Sequence, residues 1–129
     1  MDSFIKWIGG KKLLRKRITE KFPEKIDKYV EVFGGAGWVL FHKERHAEKE
    51  VYNDINSELV NLFRMVKYHP EAVEKELEYM LNSREMYNEY YVQDIRHRTE
   101  IQRAARYFFL IKVSFGAGIT SFGCSTRAE

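Results

Sequence analysis

The stretch best suited to chemistry is Val30-Glu31-Val32-Phe33-Gly34-Gly35-Ala36-Gly37. A run of β-forming residues passes into a glycine-rich turn and then into the apolar residues Trp38, Val39, Leu40 and Phe41. Glycine lets the backbone come close to a ligand and take dihedrals closed to other residues. The free amides of a helix that starts after such a turn can receive a polar ligand group. Asp54 stands seventeen residues beyond Gly37, at the end of the next run of β-formers. A carboxylate at that place in an α/β unit accepts hydrogen bonds from ribose hydroxyls. The two features together point to an adenosine-containing ligand. The glycine spacing is not the Gly-x-Gly-x-x-Gly of a dinucleotide site, which argues against a nucleotide-binding oxidoreductase fragment. Taken alone, the run also reads as an ordinary tight turn, with Asp54 as a helix cap.

Strands and helices must position these residues. A short helix is expected over Leu13–Ile18 after the Gly9-Gly10 turn, ended by Pro23 and the polar residues after it. Tyr29–Phe33 reads as a strand, Trp38–Phe41 as the opening of a helix, and Val51-Tyr52 as a second strand ending in Asn53 and Asp54. Strand, glycine turn, helix, strand makes one βαβ unit with parallel strands. From residue 57 onward the chain reads as helical. Leu59, Val60, Leu62, Phe63 and Val66 form an amphipathic stripe that Asn56 or Ser57 can cap. Pro70 suits the first turn of a helix over Glu71–Leu81, and Ser83 can cap another. Ile101–Lys112 presents Ala104, Ala105, Phe108 and Ile111 as its apolar face. After Val113 a loop or hairpin is expected.

The 129 residues suffice for one domain, and with 44% hydrophobic and 15% aromatic residues they can bury a core. One cysteine, Cys124, rules out an internal disulfide framework and a cysteine-based zinc site. No signal peptide and no membrane span are expected, so a soluble, cytoplasmic protein is predicted. The net charge of +3 is unevenly spread. Residues 1–30 carry nine Lys/Arg against four Asp/Glu, residues 31–94 seven against thirteen, and residues 95–129 six against two. Two basic ends around an acidic middle suit a polyanion, although solvated helix faces give the same pattern.

Phe4-Ile5-Lys6-Trp7-Ile8-Gly9-Gly10-Lys11 has no evident folding purpose. Together with Phe33-Gly34-Gly35-Ala36-Gly37 and Asn53-Asp54-Ile55-Asn56, it resembles the DNA adenine-N6 methyltransferase family (Dam-like). That family has a Lys-Trp-x-Gly-Gly-Lys motif, a Phe-x-Gly-x-Gly loop and an Asn-Asp-x-Asn turn in this order. Arg103–Leu110 also resembles the helix leading into the family's target-recognition region. The resemblance implies an α/β fold: a partial Rossmann-like methyltransferase sheet with a helical insertion. Residues 1–56 would be the cofactor-binding βαβ portion. Residues 57–129 would be a helical segment leading into the target-recognition region.

The implied cofactor is S-adenosyl-L-methionine and the implied substrate double-stranded DNA. By the resemblance, Trp7, Gly10 and Lys11 contribute to the cofactor pocket. Gly35 and Gly37 belong to the loop under the methionine moiety, Phe33 is the aromatic beside them, and Asp54 binds the ribose hydroxyls. Val32 departs from the family, where proline is common. Arg96, Arg98, Arg103 and Arg106 are candidates for phosphate contact, with a plain basic helix face as the alternative. The family's usual setting is a restriction–modification system, a bacteriophage or a mobile element.

One family element is absent. The family transfers its methyl group at an Asp-Pro-Pro-Tyr-type motif, whereas the prolines here are Pro23 and Pro70. No catalytic residue is therefore assigned. Cofactor binding alone does not stabilise a transition state, so no methyl transfer by these residues alone is expected. A truncated sheet implies marginal stability, association, or a partner chain carrying the missing part. The alternative is a non-catalytic DNA- or cofactor-binding module.

Other groups carry blander readings. His42 and His46 have metal spacing but no third ligand, so no metal is expected. Tyr87, Tyr90 and Tyr91 suit a core or helix surface better than base stacking. Glu71, Glu74 and Glu78 form a solvated face. Cys124, near Ser121 and Ser125, has no histidine partner and is not a convincing nucleophile.

Overall fold

A computed structural model describes residues 2–123. Cys124 and Ser125 lie outside the described residues. The chain divides into two compact units, Met1–Asn56 and Ser57–Glu129, which are taken in turn.

The first unit holds helix α1 (Arg15–Thr19), strand β1 (Lys28–Glu31), a 3-10 turn at Leu40–His42 and strand β2 (Lys49–Tyr52). The strands pair in parallel, with Val30 opposite Val51 and Glu31 opposite Tyr52. Mixed helix and strand with a small parallel sheet fits the expected α/β class. Tyr29 and Glu31 point into the unit, and Lys28 and Val30 point out, the period-two alternation of a strand. The core gathers Tyr29, Val39 and Ala47, with Ile18, Phe22, Ile26 and Leu40 packed against them. Val30 and Val51 remain exposed on the other face.

The helix expected from Trp38 does not form; one 3-10 turn stands in its place. The reason lies in its hydrogen bonds. The Val39 carbonyl accepts from the His42 amide at 3.1 Å, and the His46 ring nitrogen lies 2.7 Å from the same oxygen. Lys43 then turns extended (φ −115°, ψ 161°). Trp38 and Val39 are both buried, so the segment is held by its surroundings rather than by one amphipathic stripe. The strands also shift from their expected bounds: β1 ends at Glu31, leaving Val32 and Phe33 in the turn, and β2 begins at Lys49.

The second unit holds α2 (Ser57–Tyr68), α3 (Pro70–Leu77), α4 (Arg84–Val92) and α5 (Glu100–Val113). Helix α5 packs against each of the other three. Pro70 occupies the first turn of α3, where its missing N–H costs nothing. That helix ends four residues earlier than expected, as the Met80 amide turns back to the Leu77 carbonyl. Ser83 caps α4 by accepting from the Met86 amide at 3.1 Å. Thr99 and Gln102 form a reciprocal capping box at the start of α5. Leu59 and Leu62 of α2 and Ala104 and Ala105 of α5 are fully buried. Phe108, expected on the apolar face, is only half-buried, with the Lys112 ammonium 5.9 Å from its ring. A second cluster joins Tyr87 with Phe109, Leu110 and Val113.

After α5 the chain makes a 3-10 turn at Phe115–Ala117 and returns through a single antiparallel bridge between Ser114 and Phe122. This is a minimal hairpin. Ala117 and Ile119 take left-handed backbone (φ 60° and 54°), which is costly for a β-branched residue.

Candidate cofactor-binding site

The glycine loop is fastened to the end of β2 at four points. The Gly34 amide donates to the Asn53 carbonyl at 2.9 Å, extending the parallel ladder past both strands. The Gly35 amide donates to Asp54 Oδ2 at 2.8 Å. The Tyr52 hydroxyl donates to the Gly35 carbonyl at 2.6 Å, and the Asn53 side-chain amide donates to the Val32 carbonyl at 2.9 Å. Gly35 and Gly37 both have left-handed φ, +51° and +68°, which glycine adopts at no steric cost. The loop thus takes a shape that a chain without these glycines would resist.

Asp54 is half-buried. Its second oxygen, Oδ1, accepts from the Asn56 amide at 3.0 Å. An ionised carboxylate has about four lone-pair sites, so two amide bonds leave it able to accept from ligand hydroxyls. Phe33 and Ile55 stand exposed, at 77% and 96%, just past the ends of the two strands. Exposed apolar side chains beside a carboxylate suit a ligand with a flat apolar face and a ribose.

The segment before α1 also reaches this loop. Trp7 lies over Gly35: a Cβ there would meet the indole at 3.0 Å. The Gly10 amide donates to the Trp7 carbonyl at 3.1 Å, and Gly10 lies against the Trp38 ring. Lys11 Nζ donates to the Phe33 carbonyl at 2.6 Å and stands 3.5 Å from Glu31 Oε1. Trp7, Gly10, Lys11, Phe33, Gly35, Gly37 and Asp54 are therefore brought together around one loop.

Sequence reasoning missed three contributors. Glu31 is buried and accepts from the Tyr29 hydroxyl and the Leu40 amide, each at 3.0 Å through Oε2. Its signal was a lone acid within a β-forming run. Tyr52 carries no signal beyond that of a strand residue, and Asn53 none beyond its place in the Asn53-Asp54-Ile55-Asn56 turn. Tyr52 explains Gly34, where a Cβ would lie 2.1 Å from the tyrosine ring. Burial, and then the Glu31 charge, raise the Tyr29 hydroxyl well above its ordinary range.

The four arginines proposed for phosphate contact are not equivalent. Arg106 is buried, and its guanidinium donates to the Tyr90 carbonyl at 2.6 Å and the Tyr91 carbonyl at 3.2 Å. It holds the C-terminal end of α4, a structural contact rather than an exposed basic face. Arg103 pairs with Glu58 across α2 and α5, and Glu58 holds the Arg103 guanidinium above its usual range. Arg96 is exposed but chelates Asp94, Nη2 to Oδ2 at 2.6 Å. Arg98 is exposed and has no side-chain partner among the described residues.

The His46 ring lies tilted against Tyr29, centroids 4.7 Å apart, and edge-on to Phe22 at 5.5 Å. Among the described residues no group of three or more His, Cys, Asp or Glu could hold a metal. No helix among them is long and apolar enough to cross a membrane.

Comparison with known proteins shows the family. Residues 7–120 match the D12 class N6 adenine-specific DNA methyltransferases. The chain is 38% identical over 122 residues to the Type II methyltransferase M1.LlaDCHI of Lactococcus lactis subsp. cremoris, covering 87% of this chain and 41% of that protein. It is 30% identical over 131 residues to the Type II methyltransferase M.MjaIII of Methanocaldococcus jannaschii, covering 87% and 45%. A 64-residue stretch is 42% identical to a DNA adenine methylase of Haemophilus influenzae, covering 50% and 22%. The chain spans less than half the length of these relatives. With the match covering most of its residues, the chain belongs to the D12 class N6 adenine-specific DNA methyltransferase family.

Proposed function

We propose that residues 1–56 form the S-adenosyl-L-methionine site of a site-specific DNA adenine-N6 methyltransferase. The observation that carries this reading is the joining of Asp54 to Gly35 at 2.8 Å. It puts a strand-end acid and a glycine loop in one place, as an adenosine ligand requires. When bound, S-adenosylmethionine supplies an activated methyl group. Asp54 would accept from the ribose hydroxyls, Gly35 and Gly37 would let the loop pass close to the methionine moiety, and Trp7 would hold the loop from its other side. Gly10 shapes the turn behind Trp7, Phe33 offers an exposed aromatic face, and Lys11 braces the Phe33 carbonyl.

The two parallel strands would belong to a larger Rossmann-like sheet. Parallel sheets are covered on both faces, and the exposed Val30–Val51 pair is apolar surface of the kind such covering buries. The adenine-binding acid and aromatic would come from an Asp-Pro-Pro-Tyr-type motif outside residues 1–129, in the rest of a longer chain or in a partner chain. These residues alone would then bind cofactor without transferring methyl. Double-stranded DNA is the proposed substrate, with Arg98 the freest of the four arginines to contact phosphate. The names of the Type II relatives support a restriction–modification setting, and a cytoplasmic enzyme, bacterial or bacteriophage-encoded, is the proposed context.

The test is a calorimetric titration of S-adenosylmethionine into the chain, with Asp54→Ala beside it. Saturable binding weakened by the substitution supports the reading. Salt-dependent DNA binding with no cofactor binding would replace it with a DNA-binding module.

A further inference from the structure

We infer that Tyr52 is a positioning residue of the cofactor site. Its hydroxyl sets the Gly35–Ala36 peptide of the glycine loop, and position 34 must be glycine to admit its ring. The inference rests on the S-adenosylmethionine reading above and adds one residue to it.

Gly34 needs an explanation that its neighbours do not. Gly35 and Gly37 take left-handed backbone, φ +51° and +68°, whereas Gly34 does not. The Phe-x-Gly-x-Gly pattern fixes positions 35 and 37 and leaves position 34 open. Neither dihedral nor motif asks for glycine there. Space does, because a Cβ at position 34 would overlap Cε2, Cδ2 and Cζ of the Tyr52 ring. Tyr52 ends β2 opposite Glu31, the residue that ends β1. From that place its ring lies against Gly34 and its hydroxyl reaches the Gly35 carbonyl at 2.6 Å.

That bond completes the fastening of Gly35. The Gly35 amide, in the peptide shared with Gly34, donates to Asp54 Oδ2 at 2.8 Å. The Gly35 carbonyl, in the peptide shared with Ala36, accepts from Tyr52. A peptide unit is planar, so holding both units sets the two planes that flank the Gly35 Cα. Asp54 holds the first plane and Tyr52 the second. Glycine loses more conformational freedom on ordering than any other residue. Tyr52 removes part of that freedom before a ligand arrives, and a loop ordered in advance binds more tightly. Tyr52 thus acts through Gly35 and needs no contact with the cofactor.

The experiment titrates S-adenosylmethionine calorimetrically into the chain, Tyr52→Phe, Gly34→Ala and the double variant. Urea unfolding and amide hydrogen exchange are followed in the same proteins without ligand. Tyr52→Phe keeps the ring in its seat and removes the hydroxyl. It should weaken binding about fivefold, the ordinary contribution of one neutral hydrogen bond. Exchange should quicken at the Gly35 amide and stay within about twofold at the Asn53 amide, which is held in the ladder by the Glu31 carbonyl. Gly34→Ala displaces the ring and the hydroxyl with it, so the double variant should bind within about twofold of Gly34→Ala. Unchanged binding in Tyr52→Phe overturns the inference. Equal quickening at Gly35 and Asn53 also overturns it, because Tyr52 would then serve general stability only. Fully additive losses in the double variant overturn the link to Gly34. If Gly34→Ala does not fold, Tyr52→Phe decides alone. If the parent chain binds no S-adenosylmethionine, the cofactor reading fails separately, and exchange at Gly35 still decides whether Tyr52 holds the loop.

Discussion

Asp54 accepts the amide of Gly35 at 2.8 Å across nineteen residues of sequence. The acid at the end of β2 is thereby fixed against the loop that follows β1. Substituting Asp54 disturbs both the loop and any ribose the acid would hold. Asp54→Ala removes the acceptor for two amides, Gly35 and Asn56. It should weaken S-adenosylmethionine binding about tenfold or more, because each such charged hydrogen bond contributes about 1.5–3 kcal/mol. Asp54→Asn, which keeps one acceptor oxygen, should lie between. Calorimetry on the three proteins checks the order.

Two glycines separate close approach from backbone shape. At Gly34 a Cβ would sit 2.1 Å from the Tyr52 ring, whereas at Gly9 (φ +72°) it would meet nothing within 4 Å. Gly34→Ala must displace Tyr52 and should cost about 3 kcal/mol. Gly9→Ala bears only the left-handed backbone penalty, about 1 kcal/mol. Urea unfolding of both variants tests the contrast.

The buried Tyr29 hydroxyl gives the first unit an alkaline limit. Its affinity for its proton is raised in the folded state, by burial first and by Glu31 second. A raised folded value contributes stability that is complete below the unfolded value of about 10 and is lost as pH climbs above it. Melting temperature should therefore fall above about pH 10. Tyr29→Phe should be less stable at pH 7 by about 1 kcal/mol, the hydrogen bond to Glu31, but should show a flatter alkaline limb. A limb equally steep in Tyr29→Phe would assign it to other groups.

The arginines of the second unit should divide by role. Arg106→Ala strands the carbonyls of Tyr90 and Tyr91 and should lower stability by about 1–3 kcal/mol. Arg98→Ala should leave stability within about 0.5 kcal/mol. If Arg98 contacts phosphate, its loss should lower DNA affinity and reduce the salt slope by about one. Denaturation and salt-titrated DNA binding distinguish them; an unchanged slope in Arg98→Ala would remove it from the interface.

Local chemistry was readable without coordinates. The glycines at 34, 35 and 37, the acid at 54 and the Lys-Trp-x-Gly-Gly-Lys stretch stand in an order that carried the family, because a site motif is written in residue types and spacing. Ser83 as a cap and Pro70 in a first turn were legible for the same reason: each acts on backbone within a few residues of itself. The helix from Trp38 was misread because its apolar residues are buried without a polar face to set a period. Its opening residues are held instead by His46 at the Val39 carbonyl and by Glu31 at the Leu40 amide, seven and nine residues away. Arg106 looked like its basic neighbours. Only packing shows that its guanidinium is buried against carbonyls fifteen and sixteen residues away. Sequence alone therefore determined which groups are present and where α3 and α4 begin. Tertiary structure decided which charges are spent on the fold and which remain for a ligand, because burial and long-range partners leave no periodic trace in the chain.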